Sequence, residues 1–283
     1  MRMKIFEKAE LEVEDIFLLE AFQTAYLPGR VPERAFAAVL HAYPVMERFL
    51  RKKCPDVVPF LERIKSEHGP SAESDELARF ERAVVDTIAD LLTYNRCPEI
   101  YDEADFHGWD FSEVTSITSL DGKVVIDGGA GTGRVCLEVA CSAKYVFAVE
   151  PVARLRQFIR DKAATAGLNN LFVIDGLLHA IPLPDDFADE LITSHALGWQ
   201  LEDELRELLR VVKPGGHIIH CPGTAYVSRE ETTHQTLISP EWGYQFSIYE
   251  EADGPKRKYW RTAPGRWQKP VCCTGANQKG GPR

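Results

Sequence analysis

The stretch VVIDGGAGTGRVCLEVA, residues 124–140, decides how this chain is read. An apolar run ends in Asp127, glycines stand at positions 128, 129, 131 and 133, and an apolar helix-like pattern begins at Arg134. Strand, glycine turn and helix in that order make a nucleotide-holding loop, because glycine lets the backbone turn and approach a ligand closely. Spacing separates three kinds of loop. A phosphate-binding loop, GxxxxGK[ST], needs a lysine for the terminal phosphates and a hydroxyl for magnesium. Gly128 and Gly133 have that glycine spacing, but Arg134 and Val135 stand at the two chemical positions. A dinucleotide fingerprint, GxGxxG, needs a third glycine for helix–strand packing. Counting from Gly129 and Gly131 puts Arg134 there, and counting from Gly128 puts Ala130 at the second glycine. The frame that fits is D-x-G-x-G-x-G: Asp127, Gly129, Gly131 and Gly133.

Outward from this loop the chain alternates short strands and helices. KVVID (123–127), YVFAVE (145–150), LFVID (171–175), ELITS (190–194) and HIIHC (217–221) read as strands. RVCLEVACS, VARLRQFIRDKAATAG (ending at Gly167) and LEDELRELLRVV (201–212) read as the helices between them, with a turn at Lys213-Pro214-Gly215-Gly216. Nearly continuous apolar strands suit a parallel sheet covered on both faces by helices. YQFSIYEEADGPKRKYW reads as a hairpin around Asp253-Gly254-Pro255.

Residues 1–112 read differently, as a helical region. Its best helix is SDELARFERAVVDTIADLL, with Ser74 as N-cap, Asp75 and Glu76 in the first turn, and Leu77, Phe80, Val84, Ile88 and Leu91 on one face. Shorter helices are expected near 9–26, 32–42, 44–53 and 56–67, punctuated by Pro28, Pro32, Pro44 and Pro55. The region packs as a cap or acts as a lid that shapes an acceptor pocket. Residues 95–111, rich in Tyr101, Phe106, Trp109 and Phe111, read as a packed linker. The expected division is 1–112 helical, 113–262 α/β, and 263–283 a flexible, solvated tail.

Composition sets outer limits. The 283 residues carry a formal net charge of −10 with no basic face before the tail, which weighs against nucleic acid as a partner. No run approaches the roughly 20 apolar residues of a membrane helix, and the N-terminus has no cleavage-site pattern, so a cytoplasmic protein is expected. The seven cysteines are irregularly spaced and the histidines lack metal-ligand spacing, so no disulfide framework and no metal are expected. Cys221-Pro222 reverses the Pro-Cys order of cytosine-C5 methyltransferases.

The D-x-G-x-G-x-G frame resembles the first motif of class I S-adenosylmethionine-dependent methyltransferases. Three further features extend the likeness: Glu150 at the next strand end in AVEPVARL, IPLPDDFADELITS with Asp189 in the acidic slot, and the Lys213–Gly216 turn. The resemblance covers residues 120–222, with the hairpin extending it to 262, and is closest to the small-molecule group called type 11. It implies a Rossmann-like α/β sheet of seven strands, mostly parallel, with the hairpin as an antiparallel edge. It implies S-adenosylmethionine as cofactor, held by Asp127 (amino group), the Gly128, Gly129, Ala130 and Gly131 backbone, Glu150 (ribose hydroxyls), Pro151 and Ser194. One position departs from the group. The expected Asp five residues before Pro182 is Leu177, so the adenine is held either by Asp175 or by backbone groups of Gly176 and Leu177.

Such an enzyme moves a methyl group to a small-molecule acceptor by in-line displacement, for which the protein aligns reactants and excludes water. A base is needed only when the acceptor must lose a proton. His195, in TSHALGW after the fourth strand, is the catalytic candidate; it either serves as that base or lines the cofactor pocket. Trp199 and Gln200 shape the acceptor site or start the next helix. No Asn-Pro-Pro-Tyr or Asp-Pro-Pro-Tyr motif follows that strand, so adenine methylation in DNA is not suggested. The rival readings are a nicotinamide-dependent oxidoreductase on a related fold, a non-catalytic cofactor-binding partner, and a protein-methylating enzyme.

Overall fold

The computed structural model describes residues 6, 8–70, 73–104, 108–225, 231–251 and 254–265. Helices fill the first part: α1 (Ala21–Ala25), α2 (Glu33–Ala42), α3 (Pro44–Lys53), α4 (Val58–Glu67), α5 (Ser74–Thr87), α6 (Ala89–Arg96), α7 (Pro98–Asp102) and α8 (Ser112–Thr115). The alternating part follows as β1 (Val124–Gly128), α9 (Arg134–Val139), β2 (Tyr145–Val149), α10 (Ala153–Thr165), β3 (Leu171–Ile174), β4 (Ala188–Thr193), α11 (Leu201–Val211), β5 (Val212–Ala225), α12 (Glu231–Ile238), β6 (Gln245–Glu251) and β7 (Gly254–Thr262).

The strands form one sheet in the order β3-β2-β1-β4-β5-β7-β6. All neighbours from β3 to β5 are parallel, and β7 runs antiparallel to both β5 and β6. This is the expected Rossmann-like α/β fold with the hairpin at one edge. Successive residues point to opposite faces, and both faces are covered. Val125, Ile192 and Ile219 enter one buried cluster, while their neighbours Ile126, Leu191 and Ile218 enter the other. The covering helices follow the helical period, with Leu155, Ile159 and Ala163 buried on α10 and Leu205, Leu208 and Val211 on α11. Strand order reverses at β1, between β2 and β4, so their C-terminal ends open a crevice of the kind that binds ligands in open α/β sheets.

The N-terminal helices bury a third cluster of their own, from Phe6 to Leu92, including Phe36, Leu50 and Ile64. Trp109 and Val114 pack instead into the sheet core. Lys258 of β7 fixes α8 there, its ammonium donating to the Glu113 carboxylate at 2.7 Å and to the Ser116 hydroxyl at 2.9 Å.

Several expectations change. The single helix over 74–92 is two, because Ile88 leaves helical geometry (φ −121°, ψ 19°). Val84, Ile88 and Leu91 all stay buried across that break, so apolar spacing carried no sign of it. Glu73, not Ser74, holds the N-cap position, and its side chain makes no capping bond. The segment near 9–26 is a 3-10 helix (Val13–Leu18) followed by α1. The Lys213–Gly216 turn is a bulge inside β5, where pairing jumps from Ala188↔Val212 to Glu190↔His217. Gly216 is tied to it: a Cβ there would lie 2.3 Å from the Asp189 carbonyl oxygen. Ala263, expected to open the tail, is buried and its backbone pairs with Gly215 and Gly216. Helix α12 was not among the expected elements. Phe106, Asp253 and the tail from 266 lie outside the described residues. No helix among the described residues is long and apolar enough to cross a membrane.

Candidate cofactor and acceptor site

β1 delivers Asp127 and Gly128 to the crevice, and the chain turns through Gly129 (φ +72°) and Gly131 (φ +55°) into α9. A Cβ on Gly129 would lie 2.4 Å from the Ala196 Cβ, so the loop fits against the end of β4 only as glycine. Asp127 is buried and accepts the Cys136 N–H at 2.9 Å, clamping the loop to α9. Burial pushes its carboxyl up to about 7, against the downward pull of that bond.

Glu150, at the end of β2, is also buried. Its carboxylate accepts the Gly131 N–H at 2.9 Å and the Val152 N–H at 2.8 Å. Burial raises it to about 7, opposed by those two bonds and by Arg156. Each carboxylate oxygen has two acceptor sites, so one donor apiece leaves both oxygens able to take a ribose hydroxyl.

The strand ends and the N-terminal helices enclose a cavity of about 200 Å³. From the sheet side it is bordered by Gly129, Gly131, Glu150, Pro151, Gly176, Leu177, Ser194 and His195. A smaller recess beside the glycine loop is bordered by Asp127, Ala130, Arg134 and again Ser194 and His195. Gly128 borders neither; it is a packing position, where a Cβ would lie 2.8 Å from Leu178 Cδ2.

The two options for the adenine separate in space. Asp175 pairs with Arg156 at 3.0 Å, its side chain is 70% exposed, and it does not border the cavity. Gly176 and Leu177 do border it, and a Cβ on Gly176 would meet Pro182 Cδ at 2.7 Å and Val149 Cγ1 at 2.9 Å. Arg156 also donates to the Glu150 carbonyl at 2.9 Å, so it ties the ends of β2 and β3 together.

His195 adopts the left-handed region (φ +56°), its Nδ1 lies 3.2 Å from the Ser194 hydroxyl, and its N–H donates to the Pro222 carbonyl. Beneath it, Thr193 Oγ1 lies 2.7 Å from Nδ1 of His220, whose complete burial lowers its pKa to about 3 and keeps it neutral. Asp189 sits at the opposite end of the sheet, where it accepts the Val124 N–H and pairs with Lys213, so it braces strands.

Sequence reading missed most of the cavity's other wall. Phe22, Gln23 and Tyr26 come from α1 and its end, Tyr94 from α6, Tyr101 from α7, and His179 from the loop before Pro182. Tyr101 Cε1 stands 3.5 Å from where a Gly131 Cβ would be. These residues are scattered in sequence; the aromatic richness of 95–111 was the available signal. Glu204 was also missed, although it lies in an acidic first turn of α11.

Two other features carry less. A concavity of about 1260 Å³ lies along α11, away from the glycine loop. Its charges are largely paired with each other, as in Arg210 with Asp185 and Glu207. Glu33, Glu67 and His68 converge at the surface, but Arg63 already bridges the two carboxylates.

A strand order with an antiparallel seventh strand, a glycine turn, and a buried carboxylate after β2 define a cofactor cradle of the class I methyltransferase type. Residues 126–220 match the type 11 family described as "Methyltransferase domain". An uncharacterized methyltransferase of Anoxybacillus flavithermus is 24% identical over 155 residues, 53% of this chain and 68% of that one. An uncharacterized methyltransferase of Geobacillus kaustophilus is 27% identical over 177 residues, 60% of this chain and 78% of that one. A demethylmenaquinone methyltransferase of Clavibacter sepedonicus is 27% identical over 138 residues, 47% of this chain and 56% of that one. Among solved structures, a SAM-dependent methyltransferase from Aquifex aeolicus aligns with TM-score 0.48 and 19% identity, over 58% of this chain and 95% of that one. Residues 126–220 are thus a methyltransferase domain of the class I type, with S-adenosylmethionine as the cofactor it implies.

Proposed function

We propose that this enzyme methylates a small molecule inside the cavity between the N-terminal helices and the sheet. The observation that carries this is the position of Glu150: its carboxylate, with acceptor capacity to spare, borders the same cavity as Tyr26, Trp199 and His195. Glu150 takes the ribose hydroxyls, and Asp127 faces the amino-acid end across the loop of Gly129, Ala130 and Gly131. Backbone groups of Gly176 and Leu177 hold the adenine, since Asp175 is engaged by Arg156. Pro151 and Ser194 complete the walls, while Gly128 supports the loop from below. The demethylmenaquinone methyltransferase among the relatives acts on a small molecule, which is consistent with this choice.

The bound cofactor supplies an activated methyl group on a sulfonium. Held by Glu150 and the loop of Gly129, Ala130 and Gly131, the cofactor would present that methyl group to the acceptor's nucleophilic atom. The protein's part would be to align the two reactants and limit water around them. Where the nucleophile carries a proton, His195 is the group placed to receive it; otherwise that residue lines the pocket. Calorimetry with S-adenosylmethionine and S-adenosylhomocysteine tests the cradle, and no binding of either at millimolar concentration would sink it. A methyl-transfer screen against fractionated metabolites tests the acceptor class; turnover confined to protein acceptors would overturn it.

A further inference from the structure

The wall facing the cofactor cradle has a pronounced chemistry. Five aromatic side chains border the cavity: Phe22, Tyr26, Tyr94 and Tyr101 from the helical side, and Trp199 from the loop after β4. Tyr26 and Trp199 stack across the junction between the two regions, with ring centroids 4.3 Å apart and planes at 28°. Trp199 is 58% exposed, so this pair stands at the mouth. Its loop is held from one side. The buried Glu204 carboxylate accepts three consecutive backbone N–H groups: Gly198 at 2.7 Å, Trp199 at 3.1 Å and Gln200 at 3.0 Å.

Charge is as one-sided as shape. No lysine or arginine is among the described residues bordering this cavity, whereas Glu150 and Glu204 are. Arg134 borders only the adjoining recess, where it donates to the Trp109 carbonyl and pairs with Glu138. A carboxylate or phosphate entering the aromatic side would lose its hydration and meet two acidic groups, with the imidazoles of His179 and His195 but no lysine or arginine among the described residues beside it. A flat apolar ring meets stacking surfaces instead.

Resting on the methyltransferase reading, we propose that Tyr26 and Trp199 form an aromatic clamp selecting planar acceptors that carry no anionic group, and that Glu204 is the positioning residue presenting Trp199. The acceptor ring stacks on this pair with its nucleophilic atom directed toward the cradle.

The test titrates 2-naphthol and 3-hydroxy-2-naphthoate, alike in shape but different in charge, into the full-length protein saturated with S-adenosylhomocysteine. We expect the naphthol to bind about tenfold more tightly than the naphthoate, and Trp199→Ala to weaken it about tenfold, the scale of one lost aromatic contact. Affinity for S-adenosylhomocysteine stays unchanged in that variant, which also reports that it is folded. Glu204→Gln replaces one acceptor oxygen by an N–H donor facing the loop. In methylation of 2-naphthol it raises KM with little change in kcat. Equal or tighter binding of the naphthoate, naphthol binding unaffected by Trp199→Ala, or a Glu204→Gln loss confined to kcat would overturn the proposal. So would absence of naphthol uptake by a protein that binds S-adenosylhomocysteine. Failure to bind S-adenosylhomocysteine at all would instead sink the reading of the cradle.

Discussion

The helical region and the sheet region are built from different signals and bury separate cores, yet the cavity takes one wall from each. The sheet side supplies carboxylates, glycines and backbone; the helical side supplies rings. On the proposed function they do different work: the sheet grips the cofactor, and the helices face the acceptor. It follows that damage on the sheet side should appear as lost cofactor binding, and damage on the helical side should not.

The largest effect expected is for Gly129→Ala. It places a side chain 2.4 Å from the Ala196 Cβ at φ +72°, and left-handed strain plus overpacking together cost about 2–5 kcal/mol. Thermal denaturation should show a lower Tm and calorimetry a loss of cofactor binding; wild-type values for both would remove the close approach. Next is Glu150→Ala, which loses two charge-assisted hydrogen bonds and about 2–4 kcal/mol of cofactor affinity. Unchanged affinity would take Glu150 out of the site.

A third prediction follows from pH. Glu150 is raised to about 7 by burial, so it is largely protonated below that pH, and a protonated carboxyl is the poorer acceptor for hydroxyls. Cofactor affinity should therefore rise between pH 6 and 8, by at most about tenfold per unit, and Glu150→Gln should flatten the profile. For stability the sign is opposite. A carboxylate whose folded pKa exceeds its unfolded value binds more protons in the fold, so its contribution to stability falls as pH rises from about 4 to about 7. Without cofactor, Asp127 and Glu150 should make the protein lose stability across that window, measurable by denaturant titration.

The smallest effect concerns the seam. Lys162 of α10 pairs with Asp102 of α7 at 2.9 Å and donates to the Thr132 carbonyl at 3.2 Å. Both side chains are about one-third exposed, so Asp102→Asn should cost about 0.5–1 kcal/mol in Tm measurements. A much larger loss would mean the two regions depend on each other more than their separate cores suggest.

Legibility in sequence followed the same division. In the sheet region, each parallel strand carries an apolar run, and the glycine frame and Glu150 are local patterns with fixed spacing. In the helical region, the break at Ile88 left the apolar face intact, and the shortness of α1 left nothing periodic to count. The site divided likewise. Asp127, Glu150 and His195 stood out because they lie at strand ends, whereas Tyr26, Tyr94 and Tyr101 reach the cavity only through tertiary packing. Asp175 was one of two alternatives that chain position left open, and the Arg156 partner that engages it lies on another element.

The separate core of the N-terminal helices has a consequence for sequence variation. Substitutions at Phe22, Tyr26 or Tyr94 can reshape the acceptor wall while the loop of Gly129 and Gly131 keeps its own support in the sheet. On the proposed function, exchanging those rings would alter the choice of acceptor while leaving the grip on the methyl donor intact.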